Sequence, residues 1–151
     1  MGEEWRFTGF YGQPRSQKRK ESWYFLQFLR CASDLPWLCA GDFNEVLEEE
    51  EHFGYKERGG WRMSGFREVV QMCGLSDLGY TGLPYTWDNR QEGGKNIKVR
   101  LAGEKFLQKY GVIKVLHLQT TESDHCALLI DSGQQQQGEK VKAKKMFRYE
   151  D

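Results

Sequence analysis

The apolar residues of this chain recur in short runs whose spacing changes from that of a strand to that of a helix and back. Residues 5–11 are rich in aromatic side chains and predict a strand. Apolar positions at helical spacing follow, and they predict a helix over residues 22–32 with Ser22 as its N-cap. A short apolar strand is predicted over residues 37–40, and it ends at the turn Gly41-Asp42-Phe43-Asn44.

The clearest helix lies in the middle of the chain. Phe66, Val69, Val70 and Cys73 fall at i, i+3, i+4 and i+7, which is the spacing of one apolar helix face. Gly74 supplies a C-terminal stop.

The second half predicts mainly strands, over residues 85–87, 97–101, 112–118 and 126–130, with a short helix over residues 106–110. In residues 97–101 apolar and basic residues alternate, which predicts a half-buried strand with Arg100 on its polar face. Strands and helices mix without strict alternation, so the pattern favours a layered α/β (α+β) sandwich over a doubly wound sheet.

The 151 residues have room for one domain with a moderate core. We expect that domain over residues 1–131. Residues 132–151 are polar and include a run of four glutamines, so they predict a disordered tail.

Charge and cysteine content narrow the class of protein. Lys and Arg together number 22, as do Asp and Glu, so the net charge is zero and nucleic-acid binding would need local basic clusters such as residues 15–20 and 140–145. The four cysteines form no Cys-x-x-Cys pair, which favours reduced thiols over disulfides or a zinc site. Without a secretory leader or a membrane-spanning run, we expect an intracellular protein of the nucleus or cytoplasm, with no membrane partner.

Two polar clusters stand at the ends of predicted strands, where they can serve phosphodiester chemistry. Asp42 can orient or deprotonate a water, and Asn44 can donate to a phosphoryl oxygen. Asp124 can bind a divalent cation, and His125 can act as base or as an acid that contacts the phosphate. Tyr11, at the end of the first strand, can donate from the opposite wall.

Each of these residues also has a purely structural interpretation. An Asp-x-Asn turn often bonds only its own backbone. Asp124 and His125 can form a surface pair, and Tyr11 can be a core residue. The residue types alone do not separate a DNA backbone from another phosphodiester.

The motifs together resemble one family. Gly41-Asp42-Phe43-Asn44 with Ser123-Asp124-His125 resembles the endonuclease/exonuclease/phosphatase superfamily, which includes DNase I and the abasic-site endonucleases. The surrounding sequence is similar to the endonuclease domains of plant LINE-type (non-LTR) retrotransposons over about residues 5–149, through the segments WRFTGFYG at residues 5–12, LPWLC at residues 35–39, CGLSDLG at residues 73–79 and YTW at residues 85–87.

This resemblance implies a fold and an activity. The fold would be a DNase I-like four-layer sandwich, in which two β-sheets are flanked by helices. The activity would be Mg²⁺- or Mn²⁺-dependent nicking of DNA, without a small-molecule cofactor, beside a reverse transcriptase domain in the ancestral polyprotein. Carried over by position, the catalytic residues would be Tyr11, Asp42, Asn44 and His125, the metal ligand Asp124, and the DNA-facing residues Arg15, Thr86 and Trp87.

Two departures from the family pattern lower the expected activity. Family members carry an active-site Asn and a metal-binding Glu on strands upstream of the one at residues 5–11, and this sequence begins at Met1 without them. Where the family has Arg-Leu-Asp-Arg, this chain has Arg100-Leu101-Ala102-Gly103. With Ala102 in place of the Asp, His125 loses the carboxylate that would orient it.

Three hypotheses follow. The chain is a remnant of a retrotransposon endonuclease, weakly active or inactive. Alternatively, it is a non-catalytic nucleic-acid-binding module that uses Arg15, Lys18, Arg19, Lys20 and Trp87. The third hypothesis is that the chain is a product without a function, in which missing strands leave sheet edges and apolar surface exposed.

Overall fold

The computed structural model of the chain describes residues 3–47, 52–53, 60–82, 87–88, 95–96, 99–119 and 126–133. Three α-helices lie in these residues: α1 (Arg19–Cys31), α2 (Gly60–Met72) and α3 (Glu104–Tyr110). A single 3-10 turn, Ser16–Lys18, leads into α1. The strands are β1 (Arg6–Tyr11), β2 (Trp37–Asp42), β3 (His52–Phe53), β4 (Leu75–Asp77), β5 (Thr81–Gly82), β6 (Trp87–Asp88), β7 (Lys95–Asn96), β8 (Val99–Gly103), β9 (Lys114–Leu118) and β10 (Ala127–Asp131).

The strands of the described residues form three sheets. The main sheet has four strands in the order β1-β2-β8-β4, and the second sheet has three in the order β10-β9-β5. A small sheet joins β3, β7 and β6. In the main sheet β1 and β2 run parallel, while β8 is antiparallel to both of its neighbours. The α1 crossover between the parallel strands is the βαβ connection that such a pair requires.

The main sheet is covered on both faces. On one face α1 and α2 pack against it, and we call this apolar layer the helix-side core; its largest members are Trp23, Trp37, Phe66, Phe10 and Phe43. The other face packs on the second sheet and α3. We call that layer the sheet-side core, and it contains Leu38, Ala102, Phe106, Ile113 and Val115. The molecule is thus a mixed α+β protein built in layers, as the sequence predicts.

Because the main sheet is covered on both faces, the environment of Arg100 differs from the one that the sequence predicts. The sequence predicts Arg100 on a polar, solvent-facing side of its strand, but Arg100 is among the most buried side chains of the protein. The alternation of Val99 and Leu101 with Arg100 and Ala102 is real. Val99 and Leu101 face the helix-side core, and Ala102 faces the sheet-side core. The polar face of β8 therefore meets another layer of protein and not water.

The start of α1 also differs from the expectation. The helix begins at Arg19, three residues before the predicted N-cap, and Ser22 is a buried residue inside it. The Ser22 Oγ accepts a hydrogen bond from the backbone N–H of Gln13 at 2.8 Å. The hydroxyl accepts a backbone N–H as a helix cap does. That N–H belongs to the loop that follows β1 and not to the first turn of α1.

The end of α2 is as the sequence predicts. Gly74 has φ of +64°, in the left-handed region, and its N–H donates to the carbonyl of Gln71 at 2.9 Å. This glycine conformation is a common way for a helix to end. Among the described residues, no helix has the length and the apolar character that crossing a bilayer requires.

The cysteines are free thiols in the described structure. Cys39 and Cys73 are buried in the helix-side core, whereas Cys31 is exposed. Burial raises the pKa of Cys39 from 9.0 to about 12, and burial also raises the pKa of Cys73. The two buried thiols therefore behave as small apolar side chains, as the spacing of the cysteines predicts.

Candidate functional site

The parallel pairing of β1 and β2 brings two of the predicted site residues together. Tyr11 and Asp42 are the last residues of their strands, and they are direct partners in the register. Paired residues of neighbouring strands lie about 4.8 Å apart and project from the same face of the sheet. That face is the one that carries Leu38 and packs on the second sheet. Tyr11 is 74% exposed, so its hydroxyl is open to a ligand and it is not a core residue.

The turn after β2 is held by its own side chains. The Asp42 Oδ1 accepts a hydrogen bond from the backbone N–H of Asn44 at 3.0 Å. Asn44 has φ of +54°, in the left-handed region that Asn tolerates better than most residues. Its Nδ2 donates to the carbonyl oxygen of Gly12 at 2.8 Å. One Asp42 oxygen and the Asn44 amide therefore have the purely structural role of holding the turn.

Two glycines allow β1 to approach this turn closely. The N–H of Gly12 donates to the carbonyl of Asp42 at 2.7 Å, and a Cβ on Gly12 would lie 2.0 Å from the carbonyl oxygen of Phe43. Gly41 has φ of +151°, and a Cβ there would lie 2.1 Å from the carbonyl oxygen of Phe10. Any side chain at either position would push the end of β1 away from the Asp42 turn. No local sequence pattern marks Gly12 for this role, since Phe43 is far from it in the chain.

A buried ion pair ties the turn to the start of α1. The Arg19 Nη1 lies 3.6 Å from the Glu45 Oε1, and these side chains are 12% and 1% exposed. Another Arg19 nitrogen, Nη2, donates to the carbonyl of Pro14 at 3.3 Å. Arg19 thus neutralises Glu45 and positions the loop after β1, so it is not a surface cation for a nucleic acid.

The other basic residues of the loop after β1 and of the first turn of α1 are at the surface. Arg15, Lys18 and Lys20 are exposed, and the Arg15 carbonyl accepts the N–H of Lys18 at 2.9 Å to form the 3-10 turn. They lie between four and nine residues after Tyr11 in the chain. The described end of β1 therefore combines one exposed aromatic ring with exposed cations, beside the carboxylate of Asp42.

The described residues by themselves do not fit a divalent-cation site. Mg²⁺ in proteins uses carboxylate oxygens together with water. Of the two carboxylates at the turn, Asp42 uses Oδ1 on its own backbone and Glu45 is neutralised by Arg19. Within the described part of the chain, no three His, Cys, Asp or Glu residues cluster as metal ligands would. A cation here would need further ligands from outside the described residues.

The second polar cluster of the sequence lies elsewhere in the chain. Asp124, His125 and Thr86 lie outside the described residues. Trp87 begins β6, where its backbone is paired with Asn96 in β7. The structure therefore unites Tyr11, Asp42 and Asn44, with Arg15 in the adjoining loop.

Ala102 occupies an apolar position. It pairs with Leu38 in β2 and with Ser76 in β4, and it is fully buried in the sheet-side core. Leu38 is four residues before Asp42, which is roughly 13 Å along a strand. Gly41, not Leu38, pairs with Val99 at the turn end of β8. A carboxylate at position 102 would therefore meet the side chains of an apolar layer.

The buried side chain of Arg100, in the same strand, belongs to a stack of side chains that has no signal in the sequence. The Arg100 Nε donates to the carbonyl of Gly79 at 2.7 Å, and its Nη2 lies 3.5 Å from the Asp77 Oδ2. The guanidinium carbon lies 4.8 Å from the centre of the Tyr80 ring, which stacks on His117 with 4.4 Å between centroids and 7° between planes. The stack links the main sheet to the second sheet, because Arg100 belongs to β8 and His117 to β9.

A scan against protein-family models and a search of curated proteins find no match for this chain. The resemblance to retrotransposon endonucleases therefore stays a prediction from the motifs.

Proposed function

We propose that this chain is a remnant of a metal-dependent phosphodiesterase of the endonuclease/exonuclease/phosphatase superfamily, derived from a plant LINE-type retrotransposon endonuclease. It would have the architecture of a DNase I-like four-layer sandwich. DNA would be its partner, and Mg²⁺ or Mn²⁺ its cofactor where any metal is retained. The observation that supports this proposal best is the pairing of Tyr11 with Asp42 at the ends of two parallel strands.

The same geometry supports weak or absent catalysis. Asp42 and Asn44 are engaged in holding the turn, so a water or a phosphate would compete with the hydrogen bonds that shape it. Position 102 lies in an apolar core, and Ala102 offers nothing to orient a histidine. Loss of an orienting carboxylate lowers a hydrolase rate by about 10⁴-fold in a serine protease.

Nicking of supercoiled plasmid in Mg²⁺ and in Mn²⁺ tests the catalytic part of the proposal. We expect the wild-type protein and the His125→Ala variant to give the same low background. Robust nicking by the wild type that His125→Ala abolishes would refute the proposal of a decayed site.

A second candidate function is non-catalytic nucleic-acid binding. It is favoured by the exposed ring of Tyr11 and by the exposed Arg15 and Lys18 of the segment that follows β1, because aromatic rings and cations together form binding surfaces for single strands. Such binding weakens with salt, and each phosphate that a basic side chain neutralises adds about one unit to the log–log slope of affinity against salt concentration.

Fluorescence anisotropy with a labelled oligonucleotide over a range of KCl concentrations separates this candidate from a protein without a nucleic-acid function. Arg15→Ala and Lys18→Ala should each weaken binding and reduce the salt slope. Lys105→Ala is the matched control, because Lys105 lies far from the Asp42 turn. It comes two residues after Gly103, which contacts Trp37 at the start of β2, whereas Asp42 is at the end of that strand. Equally weakened binding in all three variants, or no binding at low salt, would exclude a site at this loop.

A further inference from the structure

A small cavity lies at the end of the main sheet opposite to the Asp42 turn. It has a volume of about 150 Å³ and is partly open to solvent. Residues from the starts of β1 and β2, from the ends of α1, α2 and β8, and from the start of α3 line it. Because β1 and β2 both begin here, the length of these strands, roughly 16 Å, separates the cavity from Tyr11 and Asp42.

Three basic side chains from three different elements line this cavity. Arg6 comes from the start of β1, Arg30 from the last turn of α1 and Lys105 from the first turn of α3. We call these three residues the cationic triad. They are far apart in the chain, so no basic cluster in the sequence marks them. The fold alone brings their charges to one place.

Arg6 is held in position by contacts on two sides. Its Nη1 donates to the carbonyl of Leu29 at 2.6 Å, and its guanidinium carbon lies 4.1 Å from the centre of the Trp37 ring. Burial lowers the pKa of Arg6, and the like charge of Arg30 lowers it further. The attraction of Asp34 opposes these effects and is weaker. Arg6 is therefore in a positive local field, which an anion in the cavity would offset.

The other two members of the triad have loose partners at the surface. The Arg30 Nη1 lies 3.6 Å from the Asp34 Oδ1, with these side chains 44% and 88% exposed. The Lys105 Nζ donates to the backbone carbonyl of Asp34 at 3.1 Å. Glu104 also lines the cavity, and its Oε1 accepts a hydrogen bond from Gln108 at 3.0 Å. An exposed ion pair as long as that of Arg30 contributes little, so an anion can replace Asp34 there at a small cost.

The helix ends at the cavity are closed by hydrogen bonds within the protein. The last carbonyl groups of a helix favour cations over anions, and this effect falls off within the last turn. The Leu29 carbonyl of α1 accepts hydrogen bonds from Arg6 and from the N–H of Ala32. The Gln71 carbonyl of α2 accepts the N–H of Gly74. The charges of Arg30 and Lys105 are thus not used by these helix ends.

We propose that this cavity binds a tetrahedral oxyanion, either inorganic phosphate or the terminal phosphate of a monoester. Three cations from three elements suit an anion with at least three free oxygens. A carboxylate has two such oxygens, and so does a phosphodiester linkage within a nucleic-acid strand. The proposal is therefore independent of the phosphodiesterase function and of strand binding by the loop after β1.

The chemistry and the size of the cavity agree with such an ion. Hydrogen bonds from a guanidinium or an ammonium group to a phosphate are charge-assisted, and they are about twice as strong as neutral ones. The guanidinium group of Arg30 presents its donors as a planar fork, while Lys105 supplies a point charge. Pockets for larger ligands have volumes of about 300 Å³ or more, so this cavity suits a small anion.

Isothermal titration calorimetry with inorganic phosphate at constant ionic strength tests the site. We expect saturable binding with a Kd below about 1 mM. Arg30→Gln should raise the Kd about tenfold or more, because charge-assisted hydrogen bonds are lost. Asp34→Asn should lower the Kd about threefold, since it removes the carboxylate that competes for Arg30. Lys114→Gln is the matched control, because it removes an exposed cation of β9 that does not line the cavity; its Kd should stay within about twofold of the wild type.

Amide NMR spectra locate the bound ion. Gly74 and Gly103 line the cavity, so their resonances should shift during the phosphate titration, whereas those of Gly12 and Gly41 beside the Asp42 turn should not. Phenyl phosphate distinguishes the two sources, since it binds at the same glycines only if the opening admits an ester. Dimethyl phosphate, which has two free oxygens, should bind about tenfold more weakly than inorganic phosphate or not at all.

Several results would overturn the proposal. No saturable heat up to about 10 mM phosphate would exclude the site. Shifts at Gly12 and Gly41 in place of Gly74 and Gly103 would assign the phosphate to the candidate phosphodiester site instead. Dimethyl phosphate bound as tightly as phosphate, or equal effects of Arg30→Gln and Lys114→Gln, would reduce the binding to general charge attraction. Far-ultraviolet circular dichroism identifies a loss of folding. If Arg30→Gln unfolds, the exposed Asp34→Asn variant decides, and an unchanged Kd there would refute the proposal.

Discussion

The carboxylate of Glu45 is buried beside the guanidinium of Arg19, with 3.6 Å between Oε1 and Nη1. The pair joins the start of α1 to the turn that carries Asp42 and Asn44. It gives Arg19 a structural role, although the residue stands in a run of basic side chains that suggests a nucleic-acid surface. The shape of the candidate site thus depends on a charge pair outside the site.

The Arg19–Glu45 pair should matter for stability. Arg19→Ala leaves the Glu45 carboxylate buried without its guanidinium, and breaking a buried pair in this way costs about 3 kcal/mol. Lys18→Ala, one residue earlier and exposed, should change the free energy of unfolding by less than about 0.5 kcal/mol. Urea denaturation measures both variants. Similar small decreases in the two would show that the pair contributes little.

The closeness of Gly12 to Phe43 should make this glycine irreplaceable. In Gly12→Ala the new Cβ would overlap the carbonyl of Phe43, so either β1 or the turn must move, at a cost of about 3 kcal/mol. Gly9→Ala is the control in the same strand, since its Cβ meets only the Phe7 ring at 3.8 Å. Thermal unfolding should show a much lower Tm for Gly12→Ala than for Gly9→Ala. Equal Tm values would contradict the close approach.

Asn44 should contribute to the free energy of unfolding through both its backbone conformation and its side-chain amide. Asn44→Ala forces alanine into a left-handed conformation and removes the hydrogen bond to Gly12, which together should cost about 2 kcal/mol. Asn44→Gly removes the same hydrogen bond but adopts this backbone conformation readily, so it should recover about half of that loss. Chemical denaturation of the two variants gives the comparison. No difference between them would mean that the positive φ is not a source of strain.

Ala102→Asp should destabilise the protein and not repair it. The carboxylate would be buried among Leu38, Phe106 and Val115, at a cost of about 4 kcal/mol near neutral pH. Burial would raise the pKa of the introduced carboxyl, so the destabilisation should be smallest at low pH and grow as the pH rises through the unfolded value of about 3.9.

Ala102→Asn is the isosteric control for that experiment. It should be destabilising without the added dependence on pH, because its amide does not titrate in this range. Urea unfolding at pH 4 and at pH 7 distinguishes the two variants. A gain of plasmid nicking in Ala102→Asp would show instead that position 102 reaches the catalytic site.

Cys39 should make the protein sensitive to alkaline pH. Its pKa is raised from 9.0 to about 12 by burial, so the folded state keeps a proton that the unfolded state loses. Its contribution to stability is fully present below about pH 9 and is lost as the pH rises toward 12. In Cys39→Ala the free energy of unfolding should decrease less between pH 8.5 and 10.5 than it does in the wild type. Urea titrations at about five pH values in this range measure the two slopes. An unchanged slope would contradict the raised pKa.

Local spacing determined most of the secondary structure. The apolar face of α2 follows from side chains three and four residues apart, and its end follows from the freedom of Gly74 to adopt a positive φ. The strands β1, β2, β9 and β10 lie within about two residues of their predicted bounds. These features are local, because they depend on residues that are near each other in the chain. The pairing of motifs that suggested a phosphodiester site is also a property of the sequence.

Only the tertiary structure decided which polar residues are buried and what they contact. Arg100 alternates with apolar neighbours as a surface residue would, yet a second layer covers its face of β8. Ser22 resembles a helix cap, but its hydroxyl accepts the N–H of Gln13. The sequence alone specified that a turn follows the strand at Asp42. The fold decided that Gly12 and Glu45 hold that turn, since their partners are brought to them from about 30 residues away by the packing of β1 and α1.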